Sequence, residues 1–251
     1  MLFSIMKKLL SKILDTFIYV FFPKICFSCN TPLNYYSDLP ICENCKKQIK
    51  YLDTLVCQKC GLPLDSGGKY CYNCKKSNRR LYFSFTRGVV EYKEPIKTLI
   101  HEYKYQQKIF LKKFLSSIMI EWFKINYKIY PQIDIVCCVP MNFFKKFYRG
   151  YNQAELLARE FAKENNLIFY PKLLRRTKIT VSQFKLPREK RLQNVKDAFK
   201  VNREYLDMIK GRNILIIDDV CTTTETINQC AKVLKKSGAK EVFGLTLARD
   251  I

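Results

Sequence analysis

The sequence is poor in acid, in histidine and in long apolar runs, and each shortage excludes something. Of 251 residues, 22 are Asp or Glu against 45 Lys or Arg, a formal net charge of +23. An anion-repelling surface is excluded, and a polyanion partner such as DNA, RNA or an anionic membrane face fits; a Lys-rich solvated surface is the plainer alternative. His101 is the single histidine. Packing or surface exposure suits it better than acid–base work. No stretch of about 18 uncharged apolar residues occurs, so no membrane-spanning helix is expected. The N-terminal apolar run meets Pro23 without a small-residue cleavage site, so no cleavable signal peptide is expected. The expected location is cytoplasmic and reducing. With 48% hydrophobic residues the chain can still build a core.

Cysteine is the exception to the scarcity, at twelve. Eight form the pairs Cys26/Cys29, Cys42/Cys45, Cys57/Cys60 and Cys71/Cys74, with 12, 11 and 10 residues between successive pairs. In a reducing compartment such pairs read as metal ligands. Each CxxC makes a knuckle whose two sulfurs converge on one metal, and two knuckles complete a tetrahedral Cys₄ site. Two structural Zn²⁺ are expected, which brings the net charge to about +19. First-with-second and third-with-fourth pairing is the simplest arrangement; nested pairing uses the same ligands, and an iron–sulfur cluster or regulated thiols are the other chemistries. Gly61 follows the third pair, where a tight knuckle benefits from relaxed φ. A ribbon this low in apolar mass needs the metal to fold. Cys137, Cys138, Cys221 and Cys230 read as packing residues.

Three regions follow. Residues 1–22 carry Leu2, Ile5, Leu9, Ile13 and Phe17 at helical spacing, with Lys7, Lys8 and Lys12 opposite. This amphipathic helix would dock on protein or lie peripherally on the inner face of the membrane. Residues 23–80 form the double zinc ribbon. From 83 to 251 β-rich and helical patterns alternate. Strands are expected at 87–92, 133–140, 168–173, 213–217 and 241–247. Helices are expected at 94–106, 108–129, 152–166 and 225–237. A basic polar loop spans 175–197. The class is α/β, a mostly parallel central sheet flanked by helices.

Within the last unit, "ILIIDDVCTTTET" (214–226) ends an apolar strand in two acids and enters a helix through a Thr-rich turn. Amides at a helix N-terminus attract phosphate, and Thr222, Thr223 and Thr226 add hydroxyls. Asp218 and Asp219 repel phosphate but can accept from two sugar hydroxyls or bind Mg²⁺ through water. A helix-start signal with Thr capping explains the same residues without a ligand.

The stretch resembles the phosphoribosyl-pyrophosphate (PRPP) motif of type I phosphoribosyltransferases. "LIHEYKYQ" (99–106), "VPMNFFKKFYRGYNQAELLARE" (139–160), "LLRRTKITVSQFKLPREKRLQNVKDAFKV" (173–201) and the terminal unit to "LTLARD" resemble the ComF competence-protein family, as does the N-terminal double ribbon. The resemblance implies a type I phosphoribosyltransferase fold and a role in DNA uptake, with incoming single-stranded DNA and uptake-machinery proteins as partners. It assigns Asp218 and Asp219 to the ribose hydroxyls. It assigns the 5′-phosphate to the turn Cys221, Thr222, Thr223, Thr224, Glu225 and Thr226, and Mg²⁺ to the pyrophosphate. Lys104, Arg149, Arg175, Arg176, Arg188 and Arg191 become candidates for neutralising pyrophosphate or a DNA backbone. Thr224 stands where the motif usually has Gly, and Glu225 adds a charge beside the phosphate, so the pocket is expected to be weakened or repurposed. A catalytically inert nucleic-acid adaptor and a purine or pyrimidine salvage enzyme are the alternative functions.

Overall fold

The computed structural model describes residues 21, 23–34, 36–52, 55–64, 67–76, 79–178 and 197–251. All of the expected 1–22 helix except Phe21, together with Arg188 and Arg191, lies outside the described residues. The chain divides into two compact units, residues 1–49 and 50–251.

The first unit holds two knuckles and a short helix, α1 (Glu43–Lys47). Its first knuckle closes on itself, Cys26 N–H donating to the Thr31 carbonyl at 2.9 Å and Asn30 N–H to the Cys26 carbonyl at 2.9 Å. The second unit begins with the other two knuckles; α2 (Tyr72–Lys76) carries Cys74. Composition alone divides the chain near 80–83, whereas the compact unit starts at residue 50. The cause is hydrogen bonding to strand β1 (Phe85–Glu91): Thr86 N–H donates to the Lys59 carbonyl and Leu52 N–H to the Val89 carbonyl, each at 2.9 Å. Gly61 has φ +69°, and a Cβ there would lie 2.7 Å from the Thr86 carbonyl oxygen, so this knuckle seats on β1 only through glycine.

Past β1 the chain runs through α3 (Ile96–Tyr105), α4 (Leu111–Asn126), β2 (Ile135–Cys138), α5 (Phe143–Arg149), α6 (Gln153–Glu164), β3 (Ile168–Phe169), β4 (Leu174–Arg176), β5 (Phe199–Val201), α7 (Leu206–Ile209), β6 (Asn213–Cys221), α8 (Glu225–Lys236) and β7 (Glu241–Arg249). Five strands form a parallel sheet in the order β1-β7-β6-β2-β3. Alternation along β6 sorts its side chains. Ile214 and Ile216 share a cluster with Ile227, Cys230, Ala231 and Leu234 of α8, and the opposite face is covered by α4 and α6, where Phe123 and Phe161 meet edge-on at 5.0 Å.

Three elements depart from the expected pattern. The strand expected over 168–173 stops at Phe169, and β4 pairs antiparallel with β5 in a separate two-stranded ladder; Pro171 between them lacks a ladder donor. Helix α5 was hidden inside an aromatic–basic run. The Asn142 side chain caps it, accepting from Phe144 N–H at 2.9 Å, and Gly150 ends it at φ +77°. Strand β6 continues four residues past Ile217 because β7 still pairs with it up to Cys221, while β2 pairing ends at Ile217.

Candidate functional site

That asymmetry makes the site. From β2 the chain leads to β3 on one side; from β6 it leads to β7 on the other. Neighbouring strands whose connections diverge leave a crevice beyond their carboxyl ends, the usual ligand position in open parallel sheets. A cavity of about 600 Å³ lies there, within the range of small-molecule sites. Val139, Pro140 and Met141 beyond β2 line it, with Asp218, Asp219 and Val220 on the unpaired edge of β6.

Helix α3 forms one wall. Ile96, Leu99, Ile100 and Tyr103 are its buried stripe, which leaves Lys97, His101 and Lys104 at helical spacing toward the cavity. Lys104 pairs with Asp219 at 3.0 Å. His101, expected to pack or sit on the surface, is exposed at the cavity edge with its ring 4.8 Å from Tyr105. The Arg149 guanidinium stacks over Tyr105 at 4.6 Å and donates to Gln153 Oε1 at 3.2 Å. Arg176 and Lys145 also line the cavity. Lys145, overlooked in the sequence, comes with the unforeseen α5. Arg175, next to Arg176 on β4, is exposed and is not among the lining residues.

Charge crowding shows in the protonation of two groups. Burial, then the charge of Asp219, pushes Asp218 up to about 8, opposed by the Asp219 amide, which donates to Asp218 Oδ1 at 2.9 Å, and by Lys104 and Arg176. Burial, then Arg149, Arg176 and Lys104, pulls Lys145 down to about 8. Such opposed shifts in one cleft are common at functional sites.

The 221–226 turn splits between cavity and protein. Thr222 and Thr226 line the cavity; Cys221, Thr223, Thr224 and Glu225 are not among its lining residues. Cys221 Sγ accepts from Arg249 Nη1 at 2.7 Å. Burial lowers the Arg249 pKa, and the sulfurs of Cys221 and Cys60 more than offset it. Thr224 stands at the N-cap position of α8 with φ +60° and no side-chain cap bond to the helix, a left-handed conformation that costs a β-branched residue energy. The Glu225 carboxylate turns inward, to Arg79 at 2.7 Å and Gln229 at 2.7 Å. The charge expected beside a phosphate is therefore already held by a cation.

The eight knuckle cysteines gather in sequential pairs: Cys26, Cys29, Cys42 and Cys45 in one group, Cys57, Cys60, Cys71 and Cys74 in the other, with all sulfurs of a group within 4.8 Å. Cys29 to Cys42 and Cys60 to Cys71 are each 3.6 Å; tetrahedral zinc with about 2.3 Å bonds sets sulfurs about 3.8 Å apart. Thr31, through its hydroxyl and then its amide, lowers Cys29 to about 6. At Cys57 burial raises the thiol, but the amides of Cys60 and Cys71 prevail and hold it at about 7, whereas burial pushes Cys45 and Cys60 up to about 12. Both groups fit closed structural Zn²⁺ sites.

The fold and these sites define a double zinc ribbon joined to an α/β domain built on a five-stranded parallel sheet. A double zinc ribbon domain family matches residues 17–75. Competence protein F of Haemophilus influenzae is 30% identical over 234 residues, covering 91% of this chain and 98% of that protein. DNA utilization protein YhgH of Escherichia coli K12 is 27% identical over 231 residues, covering 91% and 98%. Among solved structures, adenine phosphoribosyltransferase from Thermoanaerobacter pseudethanolicus is similar at 13% identity and a TM-score of 0.34, over 58% of this chain and 83% of that one. The chain belongs to the ComF competence-protein family.

Proposed function

We propose that the cavity binds PRPP with Mg²⁺ and that the protein acts in the uptake or use of DNA. The carrying observation is the pairing of opposites in one cavity: Asp218 and Asp219 on the free edge of β6, with Lys104, Lys145, Arg149 and Arg176 around them. The acids suit a ribose diol, and the cations suit a pyrophosphate beside it. Thr222, Thr226 and the amides opening α8 suit the 5′-phosphate. Asp218, Asp219 and Asp250 offer hard oxygen donors of the kind that hold Mg²⁺ alongside substrate phosphates. When bound, Mg²⁺ would supply charge neutralisation at the pyrophosphate. The names of the relatives, a competence protein and a DNA utilization protein, support the DNA role. Titration calorimetry with PRPP–Mg²⁺ tests the reading: wild type binds, Asp218→Asn with Asp219→Asn does not, and a folded wild type that binds nothing ends it.

A second reading, single-stranded DNA binding with or without turnover, is favoured by α5. Phe143, Phe147 and Tyr148 are 77%, 78% and 80% exposed, beside Lys145, Lys146 and Arg149. Exposed rings among cations form the stacking-and-charge surface that single strands use.

A further inference from the structure

The ribbon's exit segment grips the turn that the PRPP reading assigns to the phosphate. Arg79 lies five residues beyond Cys74, the last ligand of the second cysteine group. Its Nη2 is 2.7 Å from Glu225 Oε2, and its Nη1 donates to the Thr223 carbonyl at 3.3 Å. The next residues are tied to the same helix: buried Asn228 of α8 accepts from Tyr82 N–H at 2.8 Å and donates to the Arg80 carbonyl at 3.2 Å. Glu225 retains only 6% of its side-chain exposure, and Arg79 27%. A carboxylate this enclosed, one residue from Thr224 and Thr226, opposes any anion in the turn unless a cation cancels it. The helix N-terminus tolerates the acid but cannot both neutralise it and serve a phosphate. The Thr223 carbonyl is held by the same guanidinium.

We propose that Arg79 is a positioning residue for the 222–226 turn: by cancelling Glu225 and holding the Thr223 carbonyl, it keeps an acid-bearing loop able to accept a sugar phosphate. The proposal rests on the PRPP reading for its ligand and on the ligand-free contacts for its geometry. It gives the ribbon a task beyond its own folding. It also explains how this chain carries Glu225 at the start of α8.

Four variants test it: Arg79→Ala, Arg79→Lys, Glu225→Gln, and Arg79→Ala with Glu225→Gln. The readouts are PRPP–Mg²⁺ affinity, zinc content and amide hydrogen exchange over 222–228 without ligand. Arg79→Ala should weaken affinity roughly tenfold with zinc content unchanged, and exchange in the turn should quicken. Adding Glu225→Gln should restore most of the affinity, because the harm is a freed charge; Arg79→Lys should fall between. Wild-type affinity in Arg79→Ala, or a double variant as weak as the single, overturns the proposal. Where Arg79→Ala does not fold, Arg79→Gln takes its place with the same expectations. Should wild type bind no PRPP, the functional reading fails by itself, and exchange decides the clamp: faster in Arg79→Ala upholds it, unchanged rejects it.

Discussion

Lys104 reaches from α3 to within 3.0 Å of Asp219, two residues beyond the point where β6 loses its β2 partner. Both side chains are mostly buried, at 17% and 14% exposure. Removing one partner of such a pair leaves an uncompensated charge, at about 3–5 kcal/mol where burial is complete and less here. Lys104→Met should therefore leave the Asp219 carboxylate without its cation, lower the melting midpoint and abolish measurable PRPP–Mg²⁺ binding near neutral pH. Asp219→Asn in the same background should recover fold stability without recovering binding. Thermal melts and calorimetry separate the two effects.

Asp218 and Lys145 give the site a proton signature. Both sit at about 8, the acid raised and the amine lowered. A diol or Mg²⁺ favours ionised Asp218, and pyrophosphate favours protonated Lys145. Near pH 7 Asp218 holds a proton and Lys145 is charged, so PRPP–Mg²⁺ binding should release a proton. Near pH 9 the states reverse, and binding should take one up. Calorimetry in buffers of different ionisation enthalpy should show the sign change near pH 8; one sign throughout would contradict the placement. Without ligand, stability should also dip there. Folding raises Asp218 from 3.8, so its contribution falls as pH climbs to about 8. Folding lowers Lys145 from 10.5, so its contribution recovers above about 8.

Thr224 is strained at φ +60°. Left-handed backbone costs a non-glycine residue about 1–2 kcal/mol, and glycine gives back about 0.5–1 kcal/mol in unfolded-state entropy. The Thr224 hydroxyl recovers a little through its 2.6 Å bond to the Thr223 carbonyl. Thr224→Gly should raise the melting midpoint by about 2 °C and tighten PRPP binding. Thr224→Val, which keeps the branch and loses the hydroxyl, should lower both.

What the sequence made legible was whatever repeats at short range. The CxxC spacing located eight ligands and their sequential grouping. Apolar runs and helical stripes located the long elements around the sheet, and "IIDD" located the site edge. What it hid depends on distant partners. Glu225 looked like a charge against phosphate until Arg79, 146 residues earlier in the chain, met it. Helix α5 spans only seven residues, too short a window for its pairs Phe143/Phe147 and Phe144/Tyr148, four apart, to mark a helix. Arg249 reaches Cys221 across the β6–β7 ladder, a contact that register alone creates.

The two cysteine groups should respond differently to loss of a ligand. The second belongs to the unit that holds the cavity, and its knuckle is bonded to β1. Structural zinc contributes folding free energy directly. Cys60→Ser should lose one zinc, lower the melting midpoint and weaken PRPP binding. Cys29→Ser, in the first unit, should lose one zinc with PRPP affinity intact. Zinc release assays alongside calorimetry check both; equal loss of PRPP affinity would reject the separation.

The aromatic–basic face of α5 makes the DNA reading quantitative. Base stacking on exposed rings is worth about 1–3 kcal/mol per base, and each phosphate neutralised adds about 0.7 to the salt slope for single strands. Phe147→Ala with Tyr148→Ala should weaken oligothymidine binding at least tenfold while leaving the salt slope unchanged. Lys146→Gln should reduce the slope by about 0.7 and weaken binding modestly. Neither substitution touches the acids of β6, so PRPP affinity should hold in both. Asp218→Asn with Asp219→Asn makes the converse test: DNA binding that survives it places the strand on the α5 surface and supports an adaptor that needs no turnover, whereas parallel loss of DNA and PRPP binding means that the strand enters the cavity itself.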